Sequence, residues 1–318
     1  MTRLTFPLIA ILGPTGSGKS SLALSLAAAI GGEIVNYDSV QLYRGLDIGS
    51  AKLSFAERRG IPHHLIDVVD ASEDVTAGAY ARMARDTLGD LRDRGRVPIL
   101  VGGTGFYLRA LLQGLSPAPS RNLDVRSRLT AASARRTGVL YRFLRRYDPT
   151  AAVRIHKNDT QKLIRAVELT FLSGTSASQV QSQPRSPLEG FHVLKIGLIP
   201  ERAKLYAQIN NRARAMFESG LIAETEHLLR CQGVPVTAKS LQALGYRQAI
   251  QVLTNGLPLA EAINLCQTKT RQYAKRQLTW FRREADVAWL PGFGTDLEIQ
   301  ALGLRRATEF LSNPPVDR

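Results

Sequence analysis

The sequence predicts an α/β protein in which a doubly wound parallel sheet carries a phosphate-binding loop and is interrupted by a helical insertion. Three observations lead there. Strand and helix signals alternate over the first hundred residues, as they do where crossover helices join parallel strands. A Gly-x-x-x-x-Gly-Lys-Ser run, Gly13 to Ser20, falls between the first strand and the first helix. The charge is segregated: residues 1–100 hold 11 Lys and Arg against 11 Asp and Glu, so the whole net charge of +15 lies beyond them.

Leu8–Leu12 is a continuous apolar strand of the fully buried kind. Ser20–Ile30 places Leu22, Ala23, Leu26, Ala27 and Ile30 at helical spacing and is stopped by Gly31-Gly32. Glu33–Tyr37 reads as a second strand. Thr76–Arg94 has helical periodicity through Tyr80, Met83, Ala84, Leu88 and Leu91, and Val97–Val101 is an apolar strand ending in Gly102-Gly103-Thr104. Leu115–Ser120, with two prolines, breaks the pattern. An Arg-rich helical segment follows, and residues 121–165 hold 12 basic and 3 acidic residues. Ser173–Gly190 is rich in Ser, Gln and Pro and has no periodicity. His192–Leu198 returns as a strand, and helical patterns run on to about Arg283. The tail beyond Pro291 reads as a peripheral helix with a disordered end. The expected division is a core over 1–119, a basic helical insertion over 120–190, and a second, mostly helical part of the core over 191–318.

Composition excludes several classes. Two cysteines, Cys231 and Cys266, are too few for a disulfide framework or a zinc site, and the five histidines lack metal-ligand spacing. The apolar run Leu4–Leu12 is short, contains Pro7 and leads straight into the glycine-rich loop, so it reads as a strand and not a secretory signal. No stretch reaches the roughly 18 apolar residues of a membrane span, and a cytoplasmic protein is expected. Charge kept only for solubility need not segregate, so a neutral first part joined to a strongly basic remainder favours a polyanion partner.

In the loop Gly13-Pro14-Thr15-Gly16-Ser17-Gly18-Lys19-Ser20, the glycines let backbone N–H groups converge on phosphate oxygens at a helix N-terminus. Lys19 adds a point charge, and Ser20 is placed to ligate Mg²⁺. The strand Val97–Val101 ends in glycine with no acid, where an ATPase or GTPase usually has an Asp for its metal. Asp38, just past Glu33–Tyr37, is the best placed carboxylate. It could take a proton from an attacking hydroxyl or amine, so a small-molecule kinase remains open on these residues alone.

Seven ordered blocks carry a resemblance: GPTGSGKS (13–20), DSVQLYRGLDIGSAK (38–52), PHHLIDV (62–68), GGTGFYLRALL (102–112), RIHKNDTQKLIRAVE (154–168), LGYRQ (244–248) and TRQYAKRQLTWFR (270–282). Together they resemble the bacterial tRNA dimethylallyltransferases, which prenylate the N6 amine of the adenosine next to the anticodon. The resemblance implies a P-loop NTPase-like core with a helical insertion. It also implies that the loop holds the diphosphate of dimethylallyl diphosphate, that Mg²⁺ assists, and that the anticodon stem-loop of tRNA is the partner of a monomer. Positions matching tRNA contacts are Asp38, Ser39, Val40 and Gln41; Thr104 and Arg126; Gln161, Lys162, Leu163, Ile164 and Arg165. They continue with Gln242, Ala243, Leu244, Gly245, Tyr246 and Arg247, and then Lys275, Arg276, Gln277, Leu278, Thr279, Trp280, Phe281 and Arg282. Lys157, Thr160 and Lys162 depart from the usual Pro, Pro and Arg, and a Lys at 162 lacks the guanidinium fork.

The implied catalytic set is Asp38, Lys19 and Arg165. Asp38 would orient and deprotonate the amine, with a strand-end turn as its plain structural alternative. Arg165 would contact the diphosphate, with an i,i+3 pair to Glu168 as the alternative. Thr15 would add a diphosphate contact or cap its own turn, and Thr104 would meet substrate or cap the next helix. On the last long helix, Arg271, Lys275 and Arg282 fall on one side and Tyr273 and Trp280 on the other. Besides the kinase, two readings stay open: an RNA-binding protein without catalysis, and prenyl transfer to a free adenine nucleotide. Neither explains both Asp38 and the basic insertion.

Overall fold

The computed structural model describes residues 5–313. Contacts divide it into two units: one runs to Leu112 and resumes at Leu188, and the other is Gln113–Pro187. The second unit thus begins seven residues before, and ends three before, the 120–190 expected from the composition.

The first unit holds six strands, β1 (Phe6–Leu12), β2 (Glu33–Asn36), β3 (His63–His64), β4 (Pro98–Val101), β5 (Phe191–Leu198) and β6 (Val287–Leu290). They form one parallel sheet in the order β3-β2-β4-β1-β5-β6. Alternate residues of β1 serve opposite faces. Leu8, Ala10 and Leu12 join Val35, Tyr37 and Leu100 in one apolar layer, while Ile9 and Ile11 join Ile34, Ile99 and Ile196 in another. Burial on both faces explains why these strands read as unbroken apolar runs. Helix α1 (Lys19–Ile30) ends where Gly31 adopts φ 64°, the left-handed cap that the Gly31-Gly32 pair predicted. Helices α2 (Ala77–Asp93) and α3 (Gly105–Leu112) complete the first part of this unit.

The second unit is helical: α4 (Leu123–Arg135), α5 (Val139–Tyr147), α6 (Pro149–Arg154), α7 (Thr160–Ser173) and α8 (Ala177–Ser182). Leu129, Leu140, Leu144, Leu163, Ile164, Val167 and Val180 make its core. Helix α8 lies in the stretch read as aperiodic. Six residues are too short to show a period, but a capping box between Ser176 and Gln179 starts the helix.

The first unit then continues through α9 (Arg202–Glu218), α10 (Leu221–Arg230), α11 (Tyr246–Asn255), α12 (Leu259–Phe281) and α13 (Leu297–Ser312). Strand β6 was not expected: four residues at the sheet edge carry too little pattern to distinguish from a loop. The tail helix has a larger part than a peripheral one. Ile299, Gly303 and Ala307 of α13 are buried in the layer that contains α1, and the Gly294 N–H donates to the Ser17 carbonyl at 2.9 Å. Gly18 has φ 81°, and a Cβ there would lie 2.9 Å from the Gly294 nitrogen, so only glycine lets the tail back the loop so closely. The end expected to be disordered lies outside the described residues. No helix among the described residues is long and apolar enough to cross a membrane.

The turns after β1, β2 and β4 all lie at the C-terminal edge of the sheet. In open α/β sheets ligands bind in the crevice at that edge.

Candidate active site

The phosphate-binding loop 13–18 leaves the central strand β1 and enters α1. The Lys19 Nζ folds back to donate to the Pro14 carbonyl at 2.9 Å. Burial of this ammonium, with the Arg212 charge beside it, pushes its pKa down to about 7, and Asp38 offsets part of that. The Ser17 hydroxyl is buried and has no hydrogen-bond partner among the described residues. Thr15 does not cap its own turn. Its N–H donates to Gln277 Oε1 at 2.8 Å, and its hydroxyl accepts from the Arg212 guanidinium.

Gln277 also donates from Nε2 to the Gly103 carbonyl at 2.8 Å. One buried amide on α12 therefore joins the loop after β1 to the loop after β4. Arg212 comes from α9, where Leu205, Ile209 and Met216 share its face. Burial pushes the Arg212 pKa down, and the neighbouring Asp38 carboxylate supports its charge.

Asp38 follows β2. Its Oδ1 accepts the Val40 N–H at 2.9 Å, and its own N–H donates to Asn36 Oδ1 at 2.8 Å. The strand-end turn is thus present, and Oδ2 remains on the side of Gly103. Thr104 uses its hydroxyl on Ser39, accepting from the Ser39 N–H at 3.0 Å and donating to the Ser39 Oγ at 3.1 Å. The cap of α3 is the Thr104 backbone carbonyl instead.

Thr15, Asp38 and Arg212 face a common cavity of about 360 Å³. Val40, Ile209, Ala213, Met216 and Leu244 give it apolar walls, and Tyr273 and Arg276 of α12 reach it as well. A cationic end, a single carboxylate and an apolar lining in one cavity suit an anionic leaving group, a proton-bearing nucleophile and a hydrocarbon.

A family model described as IPP transferase matches residues 41–284. The chain belongs to the IPP transferase family. It is 51% identical over 305 residues to the tRNA dimethylallyltransferase of Solibacter usitatus (strain Ellin6076), with 96% of this chain and 99% of that one covered. It is 50% identical over 293 residues to the enzyme of the same name from Koribacter versatilis (strain Ellin345), covering 92% and 95% of the two chains. Among solved structures, the full-length tRNA isopentenylpyrophosphate transferase of Bacillus halodurans matches with TM-score 0.68 at 36% identity, over 96% of this chain and 99% of that one. A eukaryotic dimethylallyltransferase acting on tRNA matches with TM-score 0.79 at 28% identity, over 99% and 81%.

Within this IPP transferase, the expected RNA-contact segments split by face. Gln242, Ala243 and Leu244 line the cavity and Arg247 is exposed, but Gly245 and Tyr246 are buried. On α12, Lys275, Arg276, Thr279 and Arg282 point outward, Leu278 is half-buried, and Gln277 and Phe281 are interior. Trp280 packs on Gly105, with Arg109 over its ring at 4.4 Å. A helix turns only one face outward, so Gln277 and Phe281 face the interior, where Gln277 bonds Thr15 and Gly103. Arg271 also leaves the expected basic ridge, because it donates to Asn210 Oδ1 at 2.6 Å.

In the insertion, Gln161 and Lys162 are exposed while Leu163 and Ile164 belong to the core. Lys162 pairs with Asp159 at 2.7 Å. Arg165 donates to Glu168 Oε2 at 2.8 Å and to the Pro119 carbonyl at 2.9 Å. Arg126 reaches the same Glu168 oxygen at 3.1 Å. The alternative to a diphosphate role for Arg165, the ion pair three residues on, is therefore formed.

Sequence reading missed Arg212. The available signal was its position: an arginine seven residues after Leu205 and four before Met216 occupies the apolar stripe of an amphipathic helix. It also missed Glu224, whose carboxylate takes three backbone N–H groups and one phenol. Nothing in the local pattern of α10 marks that residue.

Proposed function

We propose that this IPP transferase moves a dimethylallyl group from dimethylallyl diphosphate to the N6 amine of the adenosine 3′-adjacent to the anticodon in tRNA, releasing diphosphate. The observation that carries the reading is the meeting of Thr15 and Arg212 with Asp38 in one cavity beside Lys19. As the allylic C–O bond breaks, negative charge grows on the diphosphate oxygens. Lys19 and Arg212 lie together beside Asp38, and the Lys19 ammonium exchanges its Pro14 carbonyl for a diphosphate oxygen, so that positive charge meets the developing negative charge. The apolar walls take the prenyl group and keep water from its electron-poor carbon. Asp38 accepts a hydrogen bond from the amine and takes its proton as the N–C bond forms. The acceptor base must leave its stack to reach the cavity, which costs less from an RNA loop than from a duplex. Such a chain works in the cytoplasm, where its RNA substrate is.

Mg²⁺ fits the donors in part. Ser20 and Asp38 offer oxygen, and no group of three or more His, Cys, Asp or Glu converges among the described residues. Ser20 and Asp38 are the residues that would hold such an ion, and oxygen donors of this kind suit Mg²⁺. When bound, it would add positive charge to the leaving diphosphate.

The insertion supplies the RNA grip. Arg135, Arg136, Arg145 and Arg146 are exposed on or beside α4 and α5. Arg126 and Arg165 enter as polyanion contacts held in place by Glu168. Reversing the charge of the four exposed arginines should weaken tRNA binding and flatten its salt dependence, each lost phosphate contact lowering the slope by about one. An unchanged slope of log affinity against log salt would assign them to solvation alone. The reaction class is tested by incubating the protein with dimethylallyl diphosphate and Mg²⁺ plus unmodified tRNA, AMP or ATP. Prenylated adenosine, found by mass in the tRNA arm only, is the expected result. A prenylated nucleotide, or phosphoryl transfer from ATP, would overturn it.

A further inference from the structure

Glu224 sits in the first turn of α10, outside the lining of the cavity. Its carboxylate accepts four hydrogen bonds. Oε2 takes the N–H groups of Asp47 and Ile48 at 3.2 and 2.9 Å, and Oε1 takes the Gly49 N–H at 3.4 Å and the Tyr246 hydroxyl at 2.6 Å. Three successive backbone N–H groups form a small anion-binding concavity, here filled by a side chain.

The two segments so joined both line the reaction cavity. Gly49 and Ser50 come from one, and Gln242, Ala243 and Leu244 precede Tyr246 in the other. Gly49 has no Cβ because none fits: one would lie 2.4 Å from the Tyr246 ring and 2.9 Å from Leu221. The Gln41 amide donates to the Ser50 carbonyl at 3.1 Å, so residue 41 leans on the same turn. Burial and the Glu224 charge hold the Tyr246 phenol far above its ordinary pKa, which keeps it a donor. Thr15 and Lys19 bond to neither segment; their partners are Gln277, Arg212 and Pro14.

We propose that Glu224, acting with Tyr246, is a positioning residue that locks the 47–50 turn to the 242–246 turn and keeps the acceptor side of the cavity fitted to the base and closed to water. It acts through other residues and touches no substrate. The proposal rests on the prenyl-transfer reading, and the wild-type reaction in each assay reports on that reading separately.

The readout is the partition of the allylic group. In the productive route the diphosphate C–O bond breaks and an N–C bond forms, with the amine proton passing to Asp38. In the leak the same C–O bond breaks, a water oxygen bonds to the allylic carbon, and the water proton goes to solvent, so diphosphate appears without prenylated tRNA. Glu224→Gln keeps the size but turns one oxygen into an NH₂ facing N–H donors, which opens the joint. It should raise KM for tRNA about tenfold and raise the leaked fraction severalfold, while KM for dimethylallyl diphosphate stays within about twofold. Tyr246→Phe, which removes only the hydroxyl, should shift both readouts the same way by less. The double variant should fall short of the sum of the two, because both act on one joint. If Glu224→Gln does not fold, Tyr246→Phe carries the test. A lowered melting temperature with unchanged tRNA KM and unchanged leak, in whichever variant folds, would make the Glu224 cluster a scaffold only and overturn the proposal.

Discussion

Asp38→Asn is expected to bind tRNA and dimethylallyl diphosphate almost as the wild type does and to lose about 10²–10⁴-fold in prenyl transfer, the usual span of a general acid–base role. The geometry makes the substitution clean. Asp38 Oδ1 accepts the Val40 N–H, and an Asn oxygen can accept the same bond, so the turn after β2 survives. What is lost is the charge near Lys19 and Arg212 and the ability to hold the amine proton. Single-turnover transfer with both substrates saturating, measured beside separate binding curves, decides it. A near-wild-type single-turnover rate would remove Asp38 from the mechanism. A fall in diphosphate affinity that shifts with Mg²⁺ concentration would make it chiefly a metal ligand.

Lys19→Ala should lower diphosphate binding and turnover together, by about 10²–10³-fold in kcat/KM, the loss typical of one fixed donor to a developing oxyanion. tRNA affinity should be largely kept. The wild type should also carry a pH signature. The free-protein pKa of Lys19 is held down to about 7 by burial and Arg212. A bound diphosphate favours the charged ammonium and raises that pKa, so binding takes up a proton. Affinity for dimethylallyl diphosphate should therefore fall as pH rises above about 7, by at most tenfold per unit, until the pKa of the complex is passed. Above pH ~7 a phosphate whose last pKa is about 6 has largely lost that proton, so the trend belongs to the protein. Lys19→Ala should flatten it. Retained diphosphate affinity and unchanged turnover in Lys19→Ala would sink the assignment of the loop.

Both predictions concern residues legible in the chain, and the reason is that each belongs to a short contiguous stretch whose local pattern is complete. The loop 13–20 needs only its glycines, its lysine and the strand and helix on either side. Asp38 is visible as the first acid past a buried strand. The central strands announce themselves because burial on both faces leaves unbroken apolar runs. The edge strands β3 and β6, of two and four residues, and the short helix α8 fall below the length at which a period can be read.

What the sequence by itself determined is this chain's class, a parallel α/β core with a phosphate loop, and it singled out Lys19, Asp38 and a basic insertion as candidates for the chemistry proposed above. The tertiary structure alone decided what surrounds Lys19 and Asp38. Arg212 meets Thr15 across 197 positions, Gln277 meets Thr15 across 262, and Glu224 meets the 47–49 turn across some 175. Such partners are set by how α9, α10 and α12 pack against the sheet edge, and no local propensity records that packing. Burial likewise sorted the contact segments, because a helix that turns Lys275 and Arg282 outward must turn Gln277 and Phe281 in. The physical cause is the same throughout. A backbone turn or strand is specified by neighbours in the chain, whereas a side chain's charge state and partners are specified by neighbours in space.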